Sequence, residues 1–151
     1  MATNRDDFTQ ATKKTLADRV GWRCSNPKCR RLTVGPSLSS TNRRILTGIA
    51  AHICAAAEGG QRFDSSMTKE ARKGIDNGIW LCRNHAWMID ADPAFYDVDK
   101  LKTWKKEAEE SAAKEQDRKT KPYREVNVSI EDLQRLNYFS GIYSSQFRDN
   151  L

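Results

Sequence analysis

Apolar residues recur at helical spacing in two segments of the chain. The first covers residues 9–20, where Thr9 is a candidate N-cap and Gly21 ends the helix. Its apolar side comprises Leu16, Ala17 and Val20. The second begins after Asp97, also a candidate N-cap, and its stripe comprises Val98, Leu101, Trp104 and Ala108. We expect both stripes to pack on a core, beneath strongly charged outer faces.

Shorter apolar runs lie between these helices. Residues 44–51 are apolar and β-compatible, which predicts a strand or hairpin with His52 near its end, after a Ser/Thr-rich loop over residues 35–42. Thr68 begins a short helix, and residues 77–78 predict a turn. Residues 79–81 then lead into a second short helix that runs from Cys82 to Asp90. The predicted fold class is therefore α+β.

The chain changes character after residue 121. Ser129, with Glu131 and Asp132 in a first turn, begins another amphipathic segment, and an aromatic tail follows: Tyr138, Phe139, Tyr143 and Phe147. We therefore predict a first domain over residues 1–121, with its core at about 22–110, and an appendage over 122–151 that serves assembly or partner docking. Deleting residues 122–151 should change the elution volume in size-exclusion chromatography, and an unchanged profile would argue against the appendage.

Length and composition limit the classes of protein. A chain of 151 residues with a mean hydropathy of -0.78 has room for one substantial core. No apolar run is long enough for a bilayer span and no secretory signal is present, so we expect a cytoplasmic protein. Residues 1–62 carry eleven Lys or Arg against four Asp or Glu, which suggests contact with a polyanion, although a solvated basic face is the commoner reason for such a surplus.

Four cysteines bear on metal binding. Cys24 and Cys29 flank an Asn-Pro turn, and Cys82 with His85 forms a second pair with two residues between. Two such pairs offer three sulfurs and one nitrogen, which suits a tetrahedral structural zinc ion. Cys54 has no partner at ligand spacing and is expected to be a buried apolar residue.

Hydrolysis of a phosphodiester needs a base and charge stabilisation. A histidine can accept the proton of water, a carboxylate can hold a hard divalent cation, and an asparagine amide can orient the histidine or bind the metal. His52, Asn77 and Asp90 offer these groups. From the residues alone, a single histidine in an Ala-Ala-His-Ile run is more often a core residue.

The order of these motifs resembles the HNH endonuclease family, whose fold is the ββα-metal finger. The resemblance rests on Cys-x4-Cys, then Ala51-His52-Ile53 with Gly59-Gly60, then residues 77–82 followed by x2-His85, and Ile89-Asp90. It runs from Cys24 to about residue 105 and is strongest for the bacterial branch of anti-phage defence effectors, some of them fused to cyclic-nucleotide sensors. It implies a ββα-metal finger flanked by N-terminal and C-terminal helices.

The resemblance also implies roles for single residues. His52 would be the general base, Asn77 the middle asparagine of the motif, and Asp90 would take the position of the last metal ligand. Asp90 and Asn77 would hold a catalytic Mg²⁺ or Mn²⁺, because Ala51 and Ala86 replace ligands that related families often carry. The spacing from Cys82 makes His85 a zinc ligand, with the final histidine of the motif as the alternative. Asp64 and Asp92 are expected to be ordinary loop residues.

Nucleic-acid contacts should come from arginines near the site: Arg30, Arg31, Arg43, Arg44 and Arg62. Arg62 is the candidate for the scissile phosphate, and phosphate contacts of this kind carry no sequence preference. Trp80, Trp87 and Trp104 are expected in the core. Two functions remain open: a metal-dependent HNH nuclease acting on double-stranded DNA under control of a partner chain or a homo-oligomer, and a zinc-finger-like adaptor that binds DNA or protein without cutting.

Overall fold

The computed structural model describes residues 5–117, 129–131 and 134–135, and the predicted aromatic tail lies outside them. Contacts divide the chain into two units, Met1–Arg118 and Lys119–Leu151. The first unit is a mixed α+β domain with two small antiparallel sheets. In chain order its elements are α1 (Gln10–Arg19), β1 (Val34–Pro36), β2 (Arg44–Leu46), β3 (Gly48–His52), α2 (Lys69–Lys73), a 3-10 turn (Ile75–Asn77), β4 (Gly78–Cys82), α3 (Arg83–Ala91) and α4 (Val98–Gln116).

The capped helices are confirmed. Thr9 Oγ1 accepts from the Thr12 amide at 3.1 Å, and Asp97 Oδ1 accepts from the Lys100 amide at 2.8 Å, so each cap satisfies a backbone donor of the first turn. Thr68 caps α2 in the same way. The predicted stripes are buried at Leu16, Ala17 and Val20 of the first helix and at Leu101 and Ala108 of the second.

The strand or hairpin expected over residues 44–51 is present as two strands that do not pair with each other. β2 pairs with β1, whereas β3 pairs with β4 in a separate sheet. The break falls at Thr47, whose amide donates to the Thr33 carbonyl at 2.8 Å. Residues 35–36, expected in a loop, belong to β1. A continuous apolar run gives no signal for a change of partner strand in its middle.

Residues 79–81 also differ from the expectation. They do not lead into a helix directly but form the centre of β4, in which all five residues are buried. The helix begins one residue later than expected, at Arg83, with Cys82 as its N-cap residue. Short apolar runs fit a buried strand and a buried helix equally well, which explains the error.

β3, β4 and α3 form the central unit of the domain. The two strands pair from Gly48 opposite Cys82 to His52 opposite Gly78, and α3 packs against both. Ile53, Ile79, Leu81, Ile89 and Leu101 are fully buried around this unit. On its other side α1 approaches so closely that a Cβ on Gly78 would lie 2.5 Å from Leu16 Cδ1. The hairpin and its helix are therefore held from both sides.

The segment before α1 is anchored to the same unit. The Asp6 amide donates to the Ala56 carbonyl at 3.0 Å, and Arg72 Nε donates to the Asp6 carboxylate at 2.8 Å. Both side chains of this pair are 13% exposed, and the bond from Arg72 lowers the pKa of the Asp6 carboxyl. Phe8 is buried two residues further on. The chain thus reaches α1 along a fixed path beside the end of β3.

Within residues 5–117, 129–131 and 134–135, no helix is both long enough and apolar enough to cross a bilayer.

Candidate functional site

The first half of the Cys/His cluster lies in a tight turn between Cys24 and Cys29. The Asn26 carbonyl accepts from the amides of Cys29 and Arg30 at 2.9 and 3.1 Å, and its side-chain Oδ1 accepts from the Lys28 amide at 2.9 Å. Arg30 has a φ of 45°, which lets the chain turn back. Short-range hydrogen bonds thus bring the two sulfurs together before any metal is considered.

The second half lies where β4 meets α3. His85 Nδ1 is 3.2 Å from Cys82 Sγ and 3.5 Å from Cys24 Sγ, and the four ligand atoms of Cys24, Cys29, Cys82 and His85 all lie within 4.8 Å of one another. Ligand atoms of a tetrahedral zinc ion are about 3.4–3.8 Å apart, given Zn–S and Zn–N bonds of about 2.3 and 2.0 Å. The cluster fits a structural zinc or another thiophilic metal.

Electrostatics indicate how the cluster would respond to a cation. Burial raises the pKa of the Cys24 thiol to about 12, and the neighbouring Cys82 and Cys29 sulfurs add to this rise, while two backbone bonds oppose it. Burial also lowers the pKa of His85, which keeps its imidazole neutral. Binding a metal would therefore release a proton from Cys24.

Cys54 does not belong to this cluster. It is 7% exposed, burial raises the pKa of its thiol, and it packs in the core as predicted.

A groove of about 600 Å³ lies against the β3–β4–α3 unit and is lined by both His52 and Asp90. His52 Nε2 is 3.1 Å from the Asp6 carbonyl oxygen, and the imidazole stacks on Phe8 with ring centroids 3.8 Å apart. A carbonyl oxygen only accepts, so the neutral ring carries its proton on Nε2 and leaves Nδ1 as an acceptor. Burial lowers the pKa of His52, and the bond to Asp6 opposes this.

Asn77 has a different environment from His52 and Asp90. It is 5% exposed and lines a separate pocket on the α2 side of the domain. Its Oδ1 accepts from the Cys54 amide at 2.8 Å, and its Nδ2 donates to the carbonyls of Cys54 and Arg72 at 2.9 and 3.0 Å. Both ends of the amide are thus engaged with main chain, and Asn77 does not fit the predicted role of a ligand for a divalent ion.

Asp90 lies on α3 and has one strong partner. Arg62 Nη2 donates to Asp90 Oδ1 at 2.8 Å, and the same guanidinium donates to the Ile53 and Ile89 carbonyls at 2.8 and 2.6 Å. The Arg62 side chain is 6% exposed, whereas that of Asp90 is 60% exposed. Arg62, expected to bind the scissile phosphate, is therefore committed to the protein, and Asp90 keeps an oxygen available to solvent.

The other predicted nucleic-acid contacts lie away from this groove. Arg31, Arg43 and Arg44 are exposed, and Arg30 is half-buried in the cysteine turn. Arg44 lies over the Trp22 ring at 5.3 Å and lines a second groove of about 450 Å³, together with Lys13 and Lys14 of α1. The two grooves share a wall formed by Ile49 and Ala50. Basic side chains therefore line both grooves, which meet at Ile49 and Ala50 of β3.

The tryptophans divide into two groups. Trp80 is buried and Trp104 packs against the core, as predicted. The prediction for Trp87 is wrong, because its side chain is 71% exposed on the outer face of α3 and lines the groove. Helical spacing from a single residue does not tell which face of a nine-residue helix meets the core.

No sequence motif indicates three of the residues found in the groove or against His52. Arg5 and Arg83 line the groove and Phe8 is the buried partner of the His52 ring, but none of the three belongs to a motif. Only Arg5 belongs to the basic surplus of residues 1–62, and that surplus was its one signal in the sequence. Asp64 and Asp92, in contrast, make the local turn contacts expected of loop residues, to Ser66 and to the Phe95 amide.

No protein-family model matches the chain, and no curated protein matches it significantly.

Proposed function

We propose that this protein is a metal-dependent endonuclease that hydrolyses DNA phosphodiester bonds with little sequence preference. The observation that supports it most directly is the groove that His52 and Asp90 share on the β3–β4–α3 unit, which also carries Cys82 and His85 of the Cys/His cluster. The resemblance of its motifs to HNH endonucleases, and in particular to anti-phage effectors, extends the proposal to a role in bacterial defence. That role is a proposal from resemblance alone.

His52 would act as the general base. Its Nε2 is held by the Asp6 carbonyl and its ring by Phe8, so Nδ1 is the nitrogen that can accept a proton from an attacking water molecule. The lowered pKa keeps that nitrogen unprotonated at neutral pH. A fixed orientation and a neutral ring are the two properties that a base needs before substrate arrives.

Asp90 would hold the catalytic divalent ion. Its carboxylate is exposed to the groove, and its second oxygen is free of the bond to Arg62. A Mg²⁺ or Mn²⁺ ion there would stabilise negative charge on the phosphate and on the leaving oxygen. Since Asp90 is the only carboxylate among the residues that line the groove, water and substrate oxygens would complete the coordination, which favours a loosely held ion.

Asn77 would be a positioning residue. The Asn77 carbonyl accepts from the Ile53 amide at 2.8 Å, and its side chain bonds both main-chain polar groups of Cys54. These contacts fix the two residues that follow His52 and so fix the direction in which the imidazole leaves the strand. Its role would be orientation rather than metal binding.

The test is nicking and linearisation of supercoiled plasmid with Mg²⁺ or Mn²⁺. Asp90→Asn keeps an acceptor for Arg62 but removes the charge that attracts a cation, and we expect it to slow nicking by about 10- to 100-fold. Asp92→Asn, the same change two residues further along the chain, lies outside the groove and should leave the rate unchanged. Equal nicking rates for Asp90→Asn and Asp92→Asn would mean that Asp90 does not hold the catalytic ion.

The dependence of the rate on pH follows from the environment of His52. Because only the neutral imidazole accepts a proton, kcat/KM should rise with pH and level off once His52 is deprotonated. Burial lowers its pKa below the usual 6.5, so the midpoint of the acidic limb should fall below pH 6.5. The measurement is a pH profile over the range in which the metal content stays constant. A midpoint above 6.5 would contradict this role.

The alternative of a non-catalytic DNA or protein adaptor has one observation in its favour. The single groove carboxylate is already paired with Arg62, so the charge available for a cation is small. An adaptor would retard DNA in a gel without cutting it at any concentration of Mg²⁺ or Mn²⁺. The proposed regulatory partner chain or homo-oligomer would involve residues 122–151, most of which lie outside the described residues.

A further inference from the structure

The outer face of α3 carries three different chemical groups along the groove. Arg83, Trp87 and Asp90 follow one another at spacings of four and three residues, which place them on one side of the helix, and all three line the groove. Trp87 is 71% exposed although an indole is costly to leave in water. Neither the fold nor the proposed chemistry of His52 and Asp90 accounts for this exposure.

Part of the groove lining is apolar. This part consists of small side chains and one larger aliphatic residue: Ala50, Ala51, Ala55, Ala56, Ala86 and Ile49. Two cationic side chains also line the groove. They are Arg5, in the segment before α1, and Arg83, in the first turn of α3. A volume of about 600 Å³ is in the range of pockets that enclose an organic ligand, about 300–1,000 Å³.

These surroundings match a nucleobase better than a phosphate chain alone. A surface that contacts only the backbone of a duplex offers cations and polar groups, since base faces are covered by their neighbours in the stack. An apolar lining with an exposed indole offers nothing to phosphate, but it matches the π face of a base that has left the stack. Arg5 and Arg83 supply the charge for the adjoining phosphates.

We propose that Trp87 stacks on an unpaired base held in this groove, so that the substrate is single-stranded or locally unpaired DNA. The part of this proposal that concerns cleavage rests on the proposed function. The part that concerns base binding rests only on the residues of the groove. Trp87 would be a positioning residue: by holding the base, it sets where the adjoining phosphate lies relative to His52 and Asp90. The proposal narrows the substrate class, because along the length of an intact duplex every base face is covered by its neighbours and none is open to Trp87.

The experiment measures binding without added Mg²⁺ or Mn²⁺, so that cleavage does not interfere. Fluorescence anisotropy compares three ligands of equal length: oligothymidine, the same backbone with abasic residues throughout, and a blunt duplex. Wild-type protein should bind oligothymidine more tightly than either of the others. Trp87→Ala should weaken oligothymidine binding by about 5- to 150-fold, the range of stacking on one base, and Trp87→Phe should restore most of it.

The abasic backbone is the matched control for charge. Trp87→Ala should not weaken its binding further, because the base that Trp87 contacts is already missing. Equal affinity of the wild-type protein for oligothymidine and for the abasic chain would overturn the proposal, and so would tightest binding to the duplex. Concentration-dependent self-association that Trp87→Ala abolishes, with DNA binding unchanged, would assign the exposed indole to contact between copies and overturn it as well.

Cleavage assays separate this proposal from the function on which it rests. If wild-type protein nicks plasmid through His52 while Trp87→Ala nicks equally well and binds oligothymidine equally well, the stacking proposal fails alone. If no DNA is cut but oligothymidine binding depends on Trp87, the nuclease fails and the groove remains a single-strand binding site. If both the nuclease proposal and the stacking proposal hold, mismatched bubbles in a duplex should be cut faster than the paired flanks. Trp87→Ala should then remove this preference.

Discussion

Replacing His52 with alanine should reduce plasmid nicking by about 10²- to 10⁴-fold, the usual contribution of a general base. The imidazole is half-buried, its Nε2 is taken by the Asp6 carbonyl, and no second histidine lines the groove to take its place. The measurement is the rate of conversion of supercoiled to open-circular plasmid at saturating Mg²⁺. Metal content and circular dichroism of the variant must match the wild type, because the substitution also removes the stack on Phe8.

Gln61→Ala provides the control for His52→Ala. Gln61 lines the same groove and is exposed, so its removal changes the shape of the groove without removing a base. We expect its rate to stay within about threefold of the wild type, as for ordinary surface substitutions. A His52→Ala variant that cuts as fast as Gln61→Ala would mean that another group activates the water, and the proposed chemistry would have to be abandoned.

Loss of the Cys/His cluster should have the largest effect on stability. Cys82→Ser removes one ligand at the junction of β4 and α3, and we expect the protein to lose its metal and its cooperative thermal transition. Structural zinc contributes an apparent ~10–16 kcal/mol in small domains, against a total unfolding free energy of about 5–15 kcal/mol for a typical protein. The cluster joins the cysteine turn to this junction across 61 residues of sequence, and the Ser25 amide, which donates to the Trp80 carbonyl at 2.9 Å, is a second link between the turn and β4.

The same substitution at Cys54 gives a matched comparison. Cys54 is as buried as Cys82 but lies outside the cluster, so Cys54→Ser should keep one metal ion per chain and lower Tm only by the cost of a hydroxyl in the core. Elemental analysis gives the metal content, and near-ultraviolet circular dichroism reports the packing of Trp80. Wild-type protein that is stripped of metal and still melts cooperatively at the same Tm would show that the cluster does not stabilise the fold.

Local signals account for the parts of the fold that could be read from the sequence. Thr9, Thr68 and Asp97 cap helices through contacts within three residues, and such contacts depend on little beyond the neighbouring sequence. The cysteine turn is equally local, and Cys82 with His85 are brought to one point by the start of α3. The two pairs could be expected to meet across the domain, because two closely spaced pairs of Cys and His ligands are typical of a zinc site.

The parts that failed depend on contacts between distant segments. Whether residues 44–46 pair with residues 34–36 is decided by a partner strand that the apolar run does not reveal. The engagement of Asn77 with Cys54 is a contact across 23 residues, and the exposure of Trp87 depends on how α3 lies on the hairpin. Composition and spacing carry no record of these arrangements, so the sequence suggested which residues form the site but not what each of them touches.

The bond between His52 and the main chain of Asp6 affects how the site can vary in evolution. A backbone carbonyl survives every substitution at its own position, but replacing Asp6 would remove the carboxylate through which Arg72 holds that segment. What can be lost is the placement of that carbonyl, which depends on Arg72, a residue that does not line the groove. Selection for the chemistry would then act on position 72 as strongly as on residues of the groove, and its signature would lie far from the reacting atoms.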